Sequence, residues 1–252
     1  MVEKELKTVS LTVLAEALQN TRYELVSTDL FDTVLLRDHT IESDRLAIAC
    51  RRAAPLLGVD AAALTQFRWS LQRSAYQAVA IERPAGDASL ADLCAVAARA
   101  FGLDASAGEI LRRIEVDVDI EHLRPNRPLL DLFDRITRAG RRVIALSDTY
   151  LSRADLRRVL AAVAGAHPIA EVYSSADLGL TKHVGTAYAA VARRENVHPG
   201  RILHVGDNHP ADVLMAGRAD WAALHLPRGP WGRIGKAAGK VLALRTKFRS
   251  VQ

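Results

Sequence analysis

Four apolar runs that each lead into a polar, chemically competent residue constrain the fold of this chain more than any other feature. Val26-Ser27-Thr28 runs into Asp29, and Val143-Ile144-Ala145-Leu146 into Ser147. Glu171-Val172-Tyr173 comes shortly before Lys182, and Ile202-Leu203-His204-Val205-Gly206 ends at Asp207. Strands are expected at Tyr23 to Thr28, Arg142 to Leu146, Ala170 to Tyr173, Arg201 to Val205 and Trp221 to Leu226, with helices between the last four. That alternation predicts a doubly wound, Rossmann-like α/β fold with a parallel sheet. In such a sheet the carboxyl ends of the strands converge on one crevice, so Asp29, Ser147, Lys182 and Asp207 are expected to share a site.

Local signals fit the same grammar. Ser152-Arg153-Ala154-Asp155 reads as a capping box opening a helix with Leu156, Val159, Leu160 and Val163 on one face. Gly140 after Ala139 ends another helix. From 38 to 124 no strand of the same quality appears. Leu64-Phe67-Leu71-Ala75-Val79, and Ser89-Leu90-Ala91-Asp92 followed by Leu93, Cys94 and Ala97, mark helices there. The expected organisation is therefore a core of 1–37 and 125–252, interrupted after its first strand by an all-helical insertion of 38–124.

Composition excludes several classes. At 252 residues and 49% hydrophobic the chain can bury a large core. Cys50 and Cys94 sit in helical patterns without metal-ligand spacing and read as reduced core thiols. The start is polar and no apolar run approaches a membrane span, so a cytoplasmic protein is expected. From Pro227 to Gln252 there are seven basic residues and no acid, which leaves the remaining body slightly acidic despite a net charge of +5. No nucleic-acid partner is expected. With Ile234, Val241, Leu242, Leu244 and Phe248 the tail reads as a terminal helix packed on the core, or as a basic amphipathic helix touching a membrane surface or an acidic protein.

Aspartate, hydroxyl, lysine and a second aspartate, in that order on successive strand–helix units, resemble the haloacid dehalogenase-like hydrolase superfamily, whose members mostly transfer phosphoryl groups. The closer resemblance is to a bacterial subgroup with Ser-Phe-Asp-Ile-Phe-Asp-Thr-like openings, often associated with surface-polysaccharide synthesis. The matching pieces are Ser27 to Thr33 with Arg37, Ser147 to Leu151, Thr181 to Gly185, and His204 to Asn208. The resemblance implies that the helical insertion is a cap selecting the substrate. It implies Asp29 as nucleophile, Ser147 as a hydroxyl donor to a phosphoryl oxygen and Lys182 as a fixed positive charge. It places substrate contacts at Thr33, Asp148, Thr149 and Arg37, and a metal at Asp29, Phe31, Asp207 and Asp212.

The chemistry is coherent with those residue types. An aspartate at a strand end can attack phosphorus and form an aspartyl-phosphate that water then hydrolyses. Asp29 and a phosphate, both anionic, need a cation between them, and oxygen ligation suits Mg²⁺. His204 and His209 flank Asp207 and read as packed rather than metal-bound. One departure stands out. Most phosphatases of the superfamily carry a general acid/base aspartate two residues after the nucleophile, where this chain has Phe31; Asp32 comes one residue later. The acid/base role is assigned to Asp32, with Asp148 or the substrate and water as the other candidates.

The expected activity is Mg²⁺-dependent hydrolysis of a small phosphorylated metabolite, with a sugar phosphate or an activated-sugar intermediate favoured. A phosphotransferase or phosphomutase, a metal-independent haloacid dehalogenase, and a non-catalytic module binding a phosphorylated ligand remain open. In the cap, Arg68, Trp69, Arg73 and Tyr76 fall at helical spacing; they read either as a sugar- or phosphate-binding face or as a solvated face with one aromatic in the cap core.

Overall fold

A computed structural model describes residues 11–227 of the chain. The basic tail from Arg228 onward, with its proposed membrane or acidic partner, lies outside the described residues. In chain order the elements are α1 (Leu11–Gln19), β1 (Leu25–Thr28), β2 (Leu35–Arg37), α2 (Glu42–Leu57), α3 (Ala61–Glu82), α4 (Leu90–Ala100) and α5 (Ala105–Glu121). There follow β3 (Leu123–Pro125), α6 (Arg127–Arg138), β4 (Arg142–Ser147), α7 (Arg153–Ala164), β5 (Ile169–Ser174), α8 (Ser175–Leu178) and α9 (Thr186–Glu195). The chain continues with β6 (Ile202–Gly206), a π-helical turn at His209–Met215, α10 (Ala216–Arg218) and β7 (Ala222–His225).

Five strands form a parallel sheet in the order β5-β4-β1-β6-β7. The chain builds outward from β1 through β4 to β5, then returns to the other side of β1 for β6 and β7. The order therefore reverses at β1, and the crevice over the carboxyl ends of β1, β4 and β6 is where such a sheet binds ligands.

Side-chain alternation along each strand separates two cores. Val26, Val143, Ala145, Leu203 and Val205 face one layer, with Leu14 and Leu18 of α1, Leu129 and Phe133 of α6, and Leu156 and Leu160 of α7. Leu25, Ile144, Leu146 and Ile202, of opposite parity, face Ala187, Tyr188 and Val191 of α9 and Trp221. Each fully buried Leu or Phe contributes about 1.5–3 kcal/mol. The Ser152–Asp155 capping box opens α7 with both reciprocal bonds formed.

Between β2 and β3 lie the four helices α2 to α5 and no sheet strand. Their stem is a feature absent from the sequence expectations: β2 and β3 pair antiparallel, Leu35 opposite Pro125 and Arg37 opposite Leu123. Three residues per strand are too few for a period-two pattern, and Leu123–Pro125 forms a strand only because β2 is beside it. The helical unit meets the sheet unit through α5 and α7, where Arg112 pairs with Asp155 and Arg158 with Asp117. It also docks through the loop before α4, where Ser175 Oγ donates to Asp87 at 2.7 Å and Leu90 N donates to the Tyr150 carbonyl at 2.7 Å.

Neither reading of the face formed by Arg68, Trp69, Arg73 and Tyr76, ligand-binding or solvated, fits Arg68. Arg68 is fully buried and forms a two-pronged ion pair with Glu115 of α5, both bonds 2.9 Å, while its third arm donates to Gln72. Leu64, Arg68 and Gln72, spaced by four, are the buried stripe of α3, so the arginine belongs to the cap interior. Trp69 packs on the same core, and Arg73 and Tyr76 are exposed on the outside of the helix. Cys50 and Cys94 are buried free thiols. Among the described residues no helix is long and apolar enough to cross a membrane.

Candidate active site

β1 places Asp29 at the mouth of the sheet, with its main-chain N–H bonded to the Val205 carbonyl at 2.8 Å. The chain then turns back sharply: Leu35 N bonds to Leu30 O at 2.8 Å and Asp32 N to Leu35 O at 2.7 Å. Asp32 sits in the left-handed region at φ 64°, which aspartate tolerates better than most residues. This turn aims the Asp32 carboxylate at Arg37, which holds it at 2.9 Å, while the guanidinium lies 4.4 Å over the Phe31 ring.

Lys182 is buried in the loop between α8 and α9, and its ammonium bridges Asp29 at 2.6 Å and Asp212 at 2.7 Å. The loop is fixed by Asp148, whose two carboxylate oxygens accept the Lys182 and His183 main-chain N–H groups at 2.7 and 2.9 Å. Asp148 thereby ties the end of β4, where Ser147 stands, to the lysine loop.

After β6, Gly206 and the π-helical turn bring Asp212 back under the strand end. The Asp212 carboxylate accepts from Asn208 N at 2.9 Å and lies 3.2 Å from His204 Nε2, while His204 Nδ1 lies 2.9 Å from Ser27 Oγ. Ser27 and His204 are register partners on adjacent strands, facing the α9 layer. His204 is kept below its ordinary pKa by burial, so it is neutral; donation from Nε2 to Asp212 then makes Nδ1 the acceptor for the Ser27 hydroxyl. In the chain Ser27–His204–Asp212–Lys182–Asp29, Ser27 and His204 are the support that reading the sequence for reactive residues alone leaves out. The alternating parity of Ser27 and His204 on the sheet is the signal that reveals it.

A Cβ on Gly206 would overlap the Asp212 carboxylate. Gly206→Ala is therefore expected to expel Asp212 and to weaken divalent-cation affinity by about 10- to 100-fold. Calorimetric titration of Mg²⁺ and Mn²⁺ into both proteins checks this, and an unchanged affinity would show that Asp212 takes no part in cation binding.

The electrostatics follow from one ammonium shared by two buried carboxylates. Burial, the largest influence, pushes the Asp29 carboxyl up to about 7; Lys182 opposes the push, and the charges of Asp212 and Asp207 add to it. Asp212 would also be raised by burial, but Lys182 and His204 together hold it below the ordinary carboxylate range. Asp212 has three donors to Asp29's one, which is why burial prevails at Asp29 and not at Asp212. Lys182 loses stability as a cation through burial, yet the two carboxylates more than offset that and keep it charged.

Asp29, Asp207 and Asp212 each present a carboxylate oxygen within 4.8 Å of the others. Three carboxylates suit a hard, oxygen-seeking cation, which would also reverse the upward push on Asp29. Around this trio is an open cleft of about 430 Å³ lined by Asp29, Phe31, Arg37, Ser147, Asp148, Lys182, Asp207, Asn208, Ala211 and Asp212. Three expected site residues stand behind the wall. Asp32 is turned to Arg37. Thr33 is fully buried, and its carbonyl accepts from Asn126 Nδ2 at 2.9 Å. Thr149 donates its main-chain N–H to Ser175 Oγ at 2.7 Å and caps its own turn through Leu151 N. His209 lies edge-on to His225, whose Nε2 is 2.9 Å from the Asp207 carbonyl.

A family model described as haloacid dehalogenase-like hydrolase matches residues 21–220. The fold is similar to that of a defluorinating L-2-haloacid dehalogenase, with 17% identity over 83% of this chain and 89% of the other and a TM-score of 0.53. It is also similar to a 2-haloacid dehalogenase from Pseudomonas syringae pv. Tomato DC3000, with 19% identity over 81% and 86% and a TM-score of 0.52. A predicted phosphoglycolate phosphatase from Haemophilus somnus 129pt matches at 16% identity over 83% and 88%, with a TM-score of 0.48. No curated protein matches the chain.

Proposed function

Because the chain belongs to the haloacid dehalogenase-like hydrolase family, we propose that its cleft makes it a Mg²⁺-dependent phosphatase of a small phosphorylated metabolite, a sugar phosphate or an activated-sugar intermediate, working through an aspartyl-phosphate on Asp29. The observation that carries this reading is the carboxylate trio of Asp29, Asp207 and Asp212 beside Lys182. Three anions converging with one lysine leave an excess of negative charge that a dication would offset, and a phosphate needs the same neutralisation. Asp207 and Asp212, with Asp29, would hold Mg²⁺, which supplies that charge when bound.

The remaining roles belong to the chain's own side chains. Lys182 orients Asp29 and offers positive charge to the incoming phosphate. Ser147, at the end of β4 on the cleft wall, donates its hydroxyl to a phosphoryl oxygen, and Arg37, also on that wall, offers a second positive charge to the substrate. Asp148, Thr33 and Thr149 act by holding the loops that carry these groups.

One observation favours a second reading. The Phe31 ring and Arg37 guanidinium on the wall could receive a halide, with Asp29 attacking carbon as in haloacid dehalogenases. Phosphate release from a panel of phosphate esters and anhydrides, and halide release from 2-chloropropanoate, separate the two. The expected result is phosphate release that a chelator or Asp207→Ala abolishes and that Mg²⁺ restores after chelation. Halide release undiminished in chelator, without phosphate release, would replace this reading with the second.

A further inference from the structure

The cleft wall is rich in carboxylates, yet each of the five in and around it is already committed. Asp29 is the attacking group, and Asp207 and Asp212 complete the trio around the cation position. Asp148 spends one oxygen on each of two main-chain N–H groups, so a proton on either would break a bond that holds the lysine loop. Asp32 stands off the wall and its carboxylate is engaged by Arg37. At the wall itself the turn presents the Phe31 ring, which carries no exchangeable proton, with the Arg37 guanidinium stacked on it, 32% exposed and also lining the cleft. Among the described residues, then, the cleft lacks a neutral acid positioned to protonate a leaving group, and it presents a fixed cation there instead.

Resting on the phosphoryl-transfer reading, we infer that the enzyme acts on terminal phosphoryl donors whose leaving group departs as a weakly basic anion, acyl phosphates and phosphoric anhydrides, rather than on simple alkyl phosphomonoesters. An alkoxide must be protonated as it leaves, and general acid catalysis of that step is worth about 10²- to 10⁴-fold. A carboxylate or phosphate needs no proton. In the first step an Asp29 oxygen forms a bond to phosphorus while the bond from phosphorus to the leaving oxygen breaks, and that oxygen keeps the electron pair as an anion facing Arg37. In the second, water adds to phosphorus, the aspartyl oxygen leaves as the Asp29 carboxylate, and the water protons stay on the released phosphate or pass to solvent. The second step also lacks a positioned base, so the aspartyl-phosphate is expected to accumulate.

The test is a leaving-group series with Mg²⁺ present: acetyl phosphate, p-nitrophenyl phosphate, glycerol 3-phosphate and glucose 6-phosphate, for the wild type and for Asp32→Asn and Asp148→Asn. Acetyl and nitrophenyl phosphates are expected to exceed the alkyl esters in kcat/KM by about 10³-fold or more. Their kcat values should converge behind a burst of one equivalent, because dephosphorylation is common to both. Each variant should shift the whole series in parallel, as a loop-holding residue does. A flat series, or a loss confined to the alkyl esters in either variant, would reveal a working general acid and overturn the inference alone. No phosphate from any member would overturn the phosphoryl reading and the inference with it.

Discussion

Asp29→Asn is expected to lower turnover by on the order of 10⁴- to 10⁶-fold while leaving the protein folded. The amide keeps the size of the carboxylate but cannot attack phosphorus. Stability should hold or rise. Asp29, Asp207 and Asp212 crowd one small volume, and removing one negative charge leaves Lys182 still paired with Asp212 at 2.7 Å. Thermal unfolding of the variant beside phosphate release under saturating Mg²⁺ separates the two effects. Turnover within tenfold of the wild type would remove Asp29 from the nucleophile's place, and a collapse in stability would make it a structural acid instead.

The second large effect is on stability and lies in the cap. Arg68→Met would leave the Glu115 carboxylate buried with its two-pronged partner gone; Gln72 also loses its contact with the guanidinium, and only the Cys94 thiol, 3.5 Å away, still reaches Glu115. Burial already pushes Glu115 above its ordinary pKa even with Arg68 in place. Breaking such a pair from one side costs about 3–5 kcal/mol. In urea titration the midpoint should fall with little change in slope. The double replacement Arg68→Met with Glu115→Leu should recover most of the loss, because two apolar side chains of similar volume need no partner. An Arg68→Met protein as stable as the wild type would mean that the pair is solvated in solution.

Much of the architecture is legible in the sequence because it rests on short-range patterns. The strands before Asp29, Ser147 and Asp207 are apolar runs bounded by turns, and their ends meet because a doubly wound sheet gives them nowhere else to meet. Asp29, Ser147, Lys182, Asp207 and Asp212 all reach the cleft that their order along the chain implies. What stays hidden depends on tertiary geometry. Nothing in Phe31-Asp32-Thr33 says that a residue at φ 64° turns the acid toward Arg37 and leaves an aromatic ring on the wall.

Arg68 is hidden for a related reason. A charged residue at helical spacing reads as solvated until the acid opposite it, Glu115 on α5, is known to share its burial. The three-residue β2 and β3 are too short to carry a period of their own. By contrast, α1 has a readable stripe in Leu14 and Leu18, one turn apart and fully buried, that the strand-and-helix pattern from Tyr23 onward does not include.

The central claim is that Asp29 is transiently phosphorylated, and the position of oxygen from solvent tests it most directly. In a single turnover of acetyl phosphate in heavy-oxygen water with Mg²⁺, attack of water on phosphorus puts the heavy atom in the released phosphate and leaves the Asp29 carboxylate light. That is the expected result, together with a phosphoryl adduct on the peptide carrying Asp29 when the reaction is quenched in acid. Heavy oxygen in the Asp29 carboxylate after turnover of 2-chloropropanoate, with no phosphoryl adduct from any phosphate donor, would contradict the account, because it would mean that Asp29 attacks carbon and that water then attacks the aspartyl ester.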